Sequence, residues 1–161
     1  MNGGTIVEKK EFVRAFSKYF QQRGFFRRGK QHYRDFSNDW MVVFALDKST
    51  WDDAAYYIES GFIIKPVNPQ MPFPAFNFAD IRLPSVEDES GDDHIHYEKF
   101  TEETLRQMLA PHVDKALRCG NEGTQAIIDN YIKTNDYGYI RNYADVEYLG
   151  IDREGLSVIG F

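Results

Sequence analysis

The order of its predicted elements places this 161-residue chain in the α+β class, as an antiparallel sheet packed by an N-terminal helix and C-terminal helices. Three observations predict this class. An amphipathic helical pattern opens the chain, three strand-like segments follow it, and the last third has helical periodicity again. Helices and strands are therefore segregated along the chain, whereas a βαβ fold would alternate them.

The first element is a helix predicted at about residues 6–22. Thr5 and Glu8 have the spacing of a capping box, in which the two side chains bond free backbone amides at the helix start. Gly24 stands where a C-terminal glycine is expected. The apolar stripe consists of Phe12, Val13, Phe16, Tyr19 and Phe20.

Three strands are predicted at about 31–36, 40–46 and 56–67. The second is almost wholly apolar, which is typical of a central strand covered on both faces. Gly61 inside the third indicates a bulge. Because the connections are short, we expect an antiparallel meander of three or more strands.

Two loops and the C-terminal helices complete the chain. A loop rich in Pro and Phe, at about 66–80, is expected to pack on the body of the protein, and an acidic loop at about 85–94 is expected to be disordered. The next helix should begin at Thr101, kink or split at Pro111 and end at Gly120. Further elements are predicted as a helix at about 123–134, a short helix at 143–149 and a closing strand at 156–161.

Composition limits the classes of protein to consider. The length predicts a single domain over residues 1–161, and a hydrophobic fraction of 42% argues against disorder. Cys119 is the only cysteine, so no intrachain disulfide can form. Because no signal peptide or membrane-spanning window is recognisable, we expect a cytoplasmic protein with no membrane contact. No cofactor is expected.

The net charge of −6 is unevenly distributed. Residues 1–48 carry ten Lys and Arg against five Asp and Glu, whereas residues 49–161 carry nine against twenty. The chain is thus basic at its start and acidic afterwards. The strongest concentration lies in residues 87–103, where eight Asp and Glu stand against one Lys. Such an acidic surface suits a basic partner, because opposite charge steers the encounter.

Four segments resemble a bacterial family catalogued as domain of unknown function 4304. They are RGFFRRGKQHYRDF (23–36), VVFALDKS (42–49), YIESGFII (57–64) and IRLPSV (81–86). The resemblance covers roughly residues 7–135. The sequence departs from the family pattern at Glu59-Ser60, where an Asn-Leu type pair is expected. The resemblance implies a small α+β domain without established catalytic residues. Some members look like immunity or accessory proteins beside bacterial toxins, which implies a role in protein binding.

The stretch from Asp92 to His96 suggests a metal site. Residues i and i+2 of a strand share a face, so His94 and His96 could reach one ion, and Asp92 or Asp93 could add a carboxylate. A catalytic zinc site needs three protein ligands, and no third is recognisable. A metal-dependent enzyme centred on this pair is therefore the alternative. The competing interpretation is an acidic loop that enters a short edge strand.

Residues 23–34 interleave basic and aromatic side chains, which could contact phosphates and stack bases. Arg28 and Arg34 are the candidate binding residues here. The simpler interpretation makes Phe25 and Phe26 core anchors, and the overall acidity argues against nucleic acid as a partner. A third interpretation pairs this basic segment with the acidic loop, either within one chain or across a homodimer.

Catalysis finds little support in the sequence. No Gly-x-Ser-x-Gly elbow and no glycine-rich phosphate loop is present. Cys119 lies at a predicted helix end among apolar residues, which favours a buried structural role. Glu59, inside an apolar strand, is expected to point outward; if it points inward, Arg34 or Arg82 is its natural partner.

The leading prediction is therefore a non-enzymatic protein-binding module, such as an immunity or accessory protein of a toxin system. Its acidic surface would be formed by Glu87, Asp88, Glu89, Asp92 and Asp93.

Overall fold

Seven short and long strands form one sheet in the computed structural model, which describes residues 4–6 and 8–160. The strand order is β1-β2-β3-β4-β5-β7, and β6 pairs with the other end of β4. Every named pair is antiparallel, so the predicted α+β class is confirmed. The strands are β1 (Phe26–Arg28), β2 (Gln31–Asp35), β3 (Trp40–Lys48), β4 (Ala55–Ile64), β5 (Ile81–Arg82), β6 (Ile95–His96) and β7 (Tyr139–Ile140).

The helices cover one face of this sheet. Phe16 and Phe20 of the first helix and Leu109 of the second are fully buried against apolar side chains of the central strands, including Val42 and Phe44. The helices are α1 (Lys9–Gln21), α2 (Glu102–Glu122), α3 (Thr124–Ile127), which continues as a π-helical turn (Ile128–Ile132), and α4 (Tyr143–Leu149). No helix in the described ranges combines the length and the apolar character needed to cross a membrane.

The start of α1 differs from the prediction. The helix begins after Glu8, which makes no side-chain capping bond, so the predicted capping box of Thr5 and Glu8 is wrong. The physical reason lies just upstream, where the buried Ile6 donates its backbone N–H to the carbonyl of Phe100 at 2.8 Å. This contact ties Ile6 to the segment before α2, and Glu8 itself has an extended backbone, with φ −124° and ψ 142°. Gly24 does follow the helix end in a left-handed conformation, with φ +84°, as predicted.

The meander of β2, β3 and β4 confirms the three predicted strands. Its second face is covered by the Pro- and Phe-rich loop, as expected: the Tyr33 hydroxyl donates to the Pro74 carbonyl at 2.9 Å, and Phe76 N–H donates to Gln31 at 3.0 Å. The predicted bulge at Gly61 is wrong. Gly61 pairs in regular register with both neighbouring strands, and a Cβ there would lie 2.5 Å from the Ala79 methyl carbon. The glycine is needed for close approach.

Helix α2 begins at Glu102, directly after its N-cap Thr101, so the predicted start of this helix at Thr101 is confirmed. The side chain of Thr101 forms a capping box with Thr104. Pro111 neither splits nor ends α2. The proline is exposed, and it removes only one backbone hydrogen bond from a helix that packs along its whole length. Gly120 does not end the helix either. It lies buried against the Phe36 ring, and the helix stops at Glu122, before Gly123 with φ +100°.

The C-terminal part matches the prediction unevenly. The short helix at 143–149 is confirmed, and the helix predicted at 123–134 is divided between α3 and the π-helical turn. The predicted closing strand is reduced to one bridge, in which Val158 pairs in parallel with Ile140. Phe161, the last residue of that predicted strand, lies outside the described residues.

Candidate partner-binding site

The acidic loop is organised by one carboxylate. Asp88 Oδ1 accepts bonds from Ser90 N–H at 2.9 Å, Ser90 O–H at 2.6 Å and Asp92 N–H at 3.0 Å. Gly91 supplies a positive φ of +82° at the turn. The Ser90 hydroxyl is the main reason that the pKa of Asp88 lies below its usual range. The loop predicted to be disordered therefore has a defined turn.

This turn forms one wall of a groove of about 530 Å³. The opposite wall is the first part of α2, and the groove contains the buried Phe100 and the half-buried Met108. The acidic wall consists of Glu87, Asp88 and Glu89, and one cation, Lys99, also lines the groove. We call this the acidic groove. It combines exposed negative charge with an apolar floor.

Asp92 and Asp93, the other two predicted acidic residues, do not line the acidic groove. Both side chains are exposed. Asp92 Oδ1 accepts the backbone N–H of His94 at 2.9 Å, which fixes the chain as it enters β6. The structure thus divides the predicted acidic surface into a groove wall and an exposed flank.

The two histidines face different partners. His96 Nε2 lies 2.7 Å from Asp52 Oδ2, whereas His94 Nε2 lies 3.1 Å from Ser49 Oγ. The ring of His94 also stacks on Tyr57, with centroids 4.7 Å apart. The bond from Ala54 N–H and then the bond to His96 hold the pKa of Asp52 below its usual range.

These contacts give the histidine pair no third metal ligand. In the ranges 4–6 and 8–160, no group of three or more His, Cys, Asp or Glu side chains has the geometry to hold a metal ion. The proposed carboxylate ligand Asp92 instead caps the backbone of His94. The geometry therefore supports the competing interpretation, an acidic loop that enters the short strand β6, which pairs with β4.

Trp51 is a feature that the sequence prediction missed. Its side chain is 91% exposed, in the turn between β3 and β4. The backbone N–H of Trp51 donates to the same Ser49 hydroxyl that contacts His94. Large exposed aromatic residues are enriched at binding interfaces. The signal available in the sequence is a tryptophan inside the turn-like stretch STWDD (49–53).

The basic segment 23–34 does not form one surface. Phe25 is buried as a core anchor, whereas Phe26 is 40% exposed. Arg28 lies over the Phe73 ring at 4.6 Å, on the second face of the sheet. Arg34 donates to the carbonyl of Asp35 at 2.9 Å. Among the described residues, no ion pair joins this segment to the acidic loop.

Glu59 points onto the second face of the sheet, where it is only 8% exposed, so the expectation that it points outward to solvent is wrong. Arg82, one of its two predicted partners, donates to Glu59 Oε2 at 2.8 Å, and Ser85 O–H donates to the same oxygen at 2.8 Å. The pairing offsets the cost of burying the charge. Arg34, the other predicted partner, lies elsewhere.

Cys119 is fully buried in the helix-covered core, in agreement with its predicted structural role. Burial raises the pKa of its thiol, so the reactive thiolate is disfavoured.

Comparisons with protein-family models, with curated proteins and with solved structures find no match to this chain. The resemblance to the domain of unknown function 4304 family therefore stays a prediction. The candidate site rests on its own geometry, which consists of the acidic groove and the exposed flank beside it.

Proposed function

We propose that this protein is a non-enzymatic binding module whose acidic groove receives a basic segment of a protein partner. The observation that supports the proposal is the combination of Glu87, Asp88 and Glu89 on one wall with Phe100 and Met108 within the same groove. The carboxylates attract and orient a basic partner, and the apolar floor retains an apolar side chain between its basic residues.

The finer proposal is that the partner is a basic toxin and that this protein is its immunity or accessory protein. It follows from the resemblance to the domain of unknown function 4304 family and from the charge of the groove. A toxin gene directly beside the gene for this protein would support the finer proposal. A gene neighbourhood without one would leave only the general binding role.

A direct test uses NMR spectroscopy and a basic probe peptide in which Lys and Arg flank a single Leu. Peptide binding should shift the amide signals of the segments 87–90 and 99–110, which contain the residues that line the groove apart from Pro111, a residue without an amide hydrogen. An acidic peptide of the same length is the control and should shift neither segment. Signals that move only outside these two segments would contradict the proposal.

Two kinds of substitution distinguish the attraction of the peptide by the carboxylates from its retention by the apolar floor. Glu87→Gln with Glu89→Gln should weaken peptide binding roughly 2- to 30-fold, mainly by slowing association, because each exposed charge contributes about 0.2–1 kcal/mol. Met108→Ala should instead speed dissociation. Glu122→Gln with Glu147→Gln is the matched control, since it removes the same charge from exposed sites outside the groove. Equal weakening by both double variants would reduce the effect to net charge and reject the groove.

A further inference from the structure

A second groove lies along the exposed face of α1, and it is basic. It has a volume of about 700 Å³ and runs between α1 and Arg27 of β1. No carboxylate of the described residues lines it. Its lining consists of Lys9, Lys10, Arg14, Lys18 and Arg27, together with Val13, Ser17 and Gln21. We call it the basic groove. It is separate from the acidic groove and goes beyond the function proposed above.

The cations of the basic groove form a row. Lys10, Arg14 and Lys18 are spaced four residues apart, so they rise along one helix face at intervals of about 6 Å. Lys9 is engaged by Asp53 at 2.5 Å, and Lys10 approaches Glu8 at 3.6 Å.

Two cations of the row, Arg14 and Lys18, are available to contact a ligand. Within the described part of the chain, Arg14 and Lys18 have no ion-pair partner, and both are exposed. The remaining acidic residue of α1, Glu11, does not line the groove. The row therefore keeps an uncompensated positive charge on two successive turns of the helix.

Arg27 is held in place opposite this row. Its Nε donates to the Gly29 carbonyl at 2.7 Å, and its Nη1 donates to Ser17 Oγ at 3.0 Å. Ser17 Oγ in turn lies 2.9 Å from Nε2 of the buried His32. Burial, and then the charge of Arg27, lower the pKa of His32 to about 4, so this imidazole is neutral near pH 7. The bonds orient Arg27 while its Nη2 faces no described acceptor.

We infer that the basic groove binds the phosphate backbone of a nucleic acid without reading its bases. Lys, Arg, Ser and Gln are the residue types that contact phosphates, and a row of cations on successive helix turns suits a ligand with regularly repeated charge. Within residues 4–6 and 8–160 no aromatic ring lines the groove, so these residues offer no ring there on which a base could stack. The net charge of −6 describes the whole chain and not this face, where the charges are segregated.

The test is fluorescence anisotropy with a labelled single-stranded oligonucleotide of about 20 nucleotides at several salt concentrations. Contact with three or four phosphates predicts a slope of about −2 to −3 for log affinity against log salt concentration. Affinity should therefore fall roughly 16- to 60-fold between 50 and 200 mM salt. Absence of binding at 50 mM salt overturns the inference.

The decisive variant is Arg14→Gln with Lys18→Gln, which should make the slope shallower by about 1.4, because two phosphate contacts are lost. Neither side chain is buried, so the variant should fold, and an unchanged melting temperature checks this. The control, Lys133→Gln with Arg153→Gln, removes the same charge from exposed positions elsewhere and should keep the wild-type slope. Equal slopes in the two variants overturn the inference. A poly-glutamate peptide that displaces the oligonucleotide as well as unlabelled oligonucleotide does would assign the groove to an acidic protein instead.

Discussion

The acidic groove and the basic groove carry opposite charge, and they also differ in how their charges are supported. The acidic wall is a loop whose shape depends on bonds to Asp88. The basic row lies on α1, whose opposite face is buried in the core through Phe12, Phe16 and Phe20. A charged loop can therefore be reshaped locally, whereas the row of cations can be displaced only together with the helix.

Because the two grooves are supported differently, some substitutions should act on one groove and others on both. The second wall of the acidic groove is α2, which shares its core with α1 through buried residues such as Leu105 and Leu109. Substitutions in this core should therefore damage both grooves, and substitutions in the loop should damage one.

The largest effect is expected for Phe16→Ala, which removes the core support that both grooves share. Phe16 is fully buried and packs on Phe20 and His32, with ring centroids 4.7 and 5.3 Å away. The cavity should lower the free energy of unfolding by about 3–5 kcal/mol, as measured in urea, and weaken both grooves together. Phe78→Ala, at a ring that is 42% exposed, is the control and should cost less than about 1 kcal/mol. A small loss at Phe16 would show that α1 is not anchored as described.

A third group of charged residues is buried, unlike the exposed carboxylates of the acidic loop. Asp145, at the start of α4, has no exposed surface. Asp80 accepts Ile64 N–H at 2.6 Å and Arg141 Nη2 at 3.2 Å, and Arg141 Nε lies 3.9 Å from Asp145 Oδ2. Burial, and then the neighbouring Asp80, raise the pKa of Asp145 to about 8, against the smaller opposite effect of Arg141.

This raised pKa predicts a pH dependence of stability with a definite sign. The folded protein holds a proton on Asp145 that the unfolded chain releases near its ordinary pKa of about 4, so the contribution to stability is complete below pH 4 and is lost as the pH rises to about 8. The difference in unfolding free energy between wild type and Asp145→Asn should therefore fall by a few kcal/mol from pH 5 to pH 8.

Asp93→Asn is the matched control for this pH dependence, because it makes the same substitution at an exposed position of the acidic loop. Chemical denaturation at each pH measures the difference for each variant. A difference for Asp145→Asn that does not change with pH would show that the folded protein holds no extra proton at this position.

The sequence predicted the long strands and helices and the short helix α4, but it gave no prediction for most of the short strands. The strands β2, β3 and β4 and the helices α1 and α2 are long enough to show apolar periodicity. The strands β5, β6 and β7 have two residues each, so no periodicity exists in them, and only pairing within the folded sheet defines them. The two glycine errors share one cause, since Gly61 and Gly120 serve close packing against residues distant in sequence.

The two grooves were unequally visible in the sequence for a related reason. The carboxylates of the acidic wall are consecutive residues, so a count of charges finds them. The cations of the basic groove are separated by helix turns and completed by Arg27 from a strand, so only the fold brings them together. Their trace in the sequence is the excess of Lys and Arg in residues 1–48.

Gly120→Ala should have an intermediate effect, and it acts where α2 packs against the ring of Phe36. A Cβ at Gly120 would lie 2.2 Å from the Phe36 ring, so the ring or the helix must shift. Overpacking costs about 1–3 kcal/mol and alanine regains about 1 kcal/mol of helix propensity, so a net loss of up to about 2 kcal/mol is expected. Gly150→Ala cannot serve as the control, because Gly150 has a φ of +68°, which strains any residue with a Cβ. The control is Ala126→Gly on the neighbouring helix α3, which measures the difference in helix propensity between alanine and glycine. A stabilised Gly120→Ala protein would show that the ring moves freely.

The smallest effect on global stability is expected at Asp88, and it separates the shape of the acidic wall from its charge. Asp88→Ala removes the acceptor of three hydrogen bonds, whereas Asp88→Asn removes the charge and keeps an acceptor oxygen. The alanine variant should speed hydrogen exchange of the Ser90 and Asp92 amides roughly 2- to 12-fold, which corresponds to one bond of 0.5–1.5 kcal/mol, while the asparagine variant keeps the wild-type rates.

The global free energy of unfolding should change by less than about 0.5 kcal/mol in both Asp88 variants, because the loop lies outside the core. Binding of the basic peptide then distinguishes the two roles of the carboxylate. Loss of affinity in the alanine variant beyond that in the asparagine variant measures what the shape of the turn contributes. Wild-type exchange rates in the alanine variant would mean that the backbone holds the turn without Asp88, and the acidic wall would then be as firmly supported as the basic row on α1.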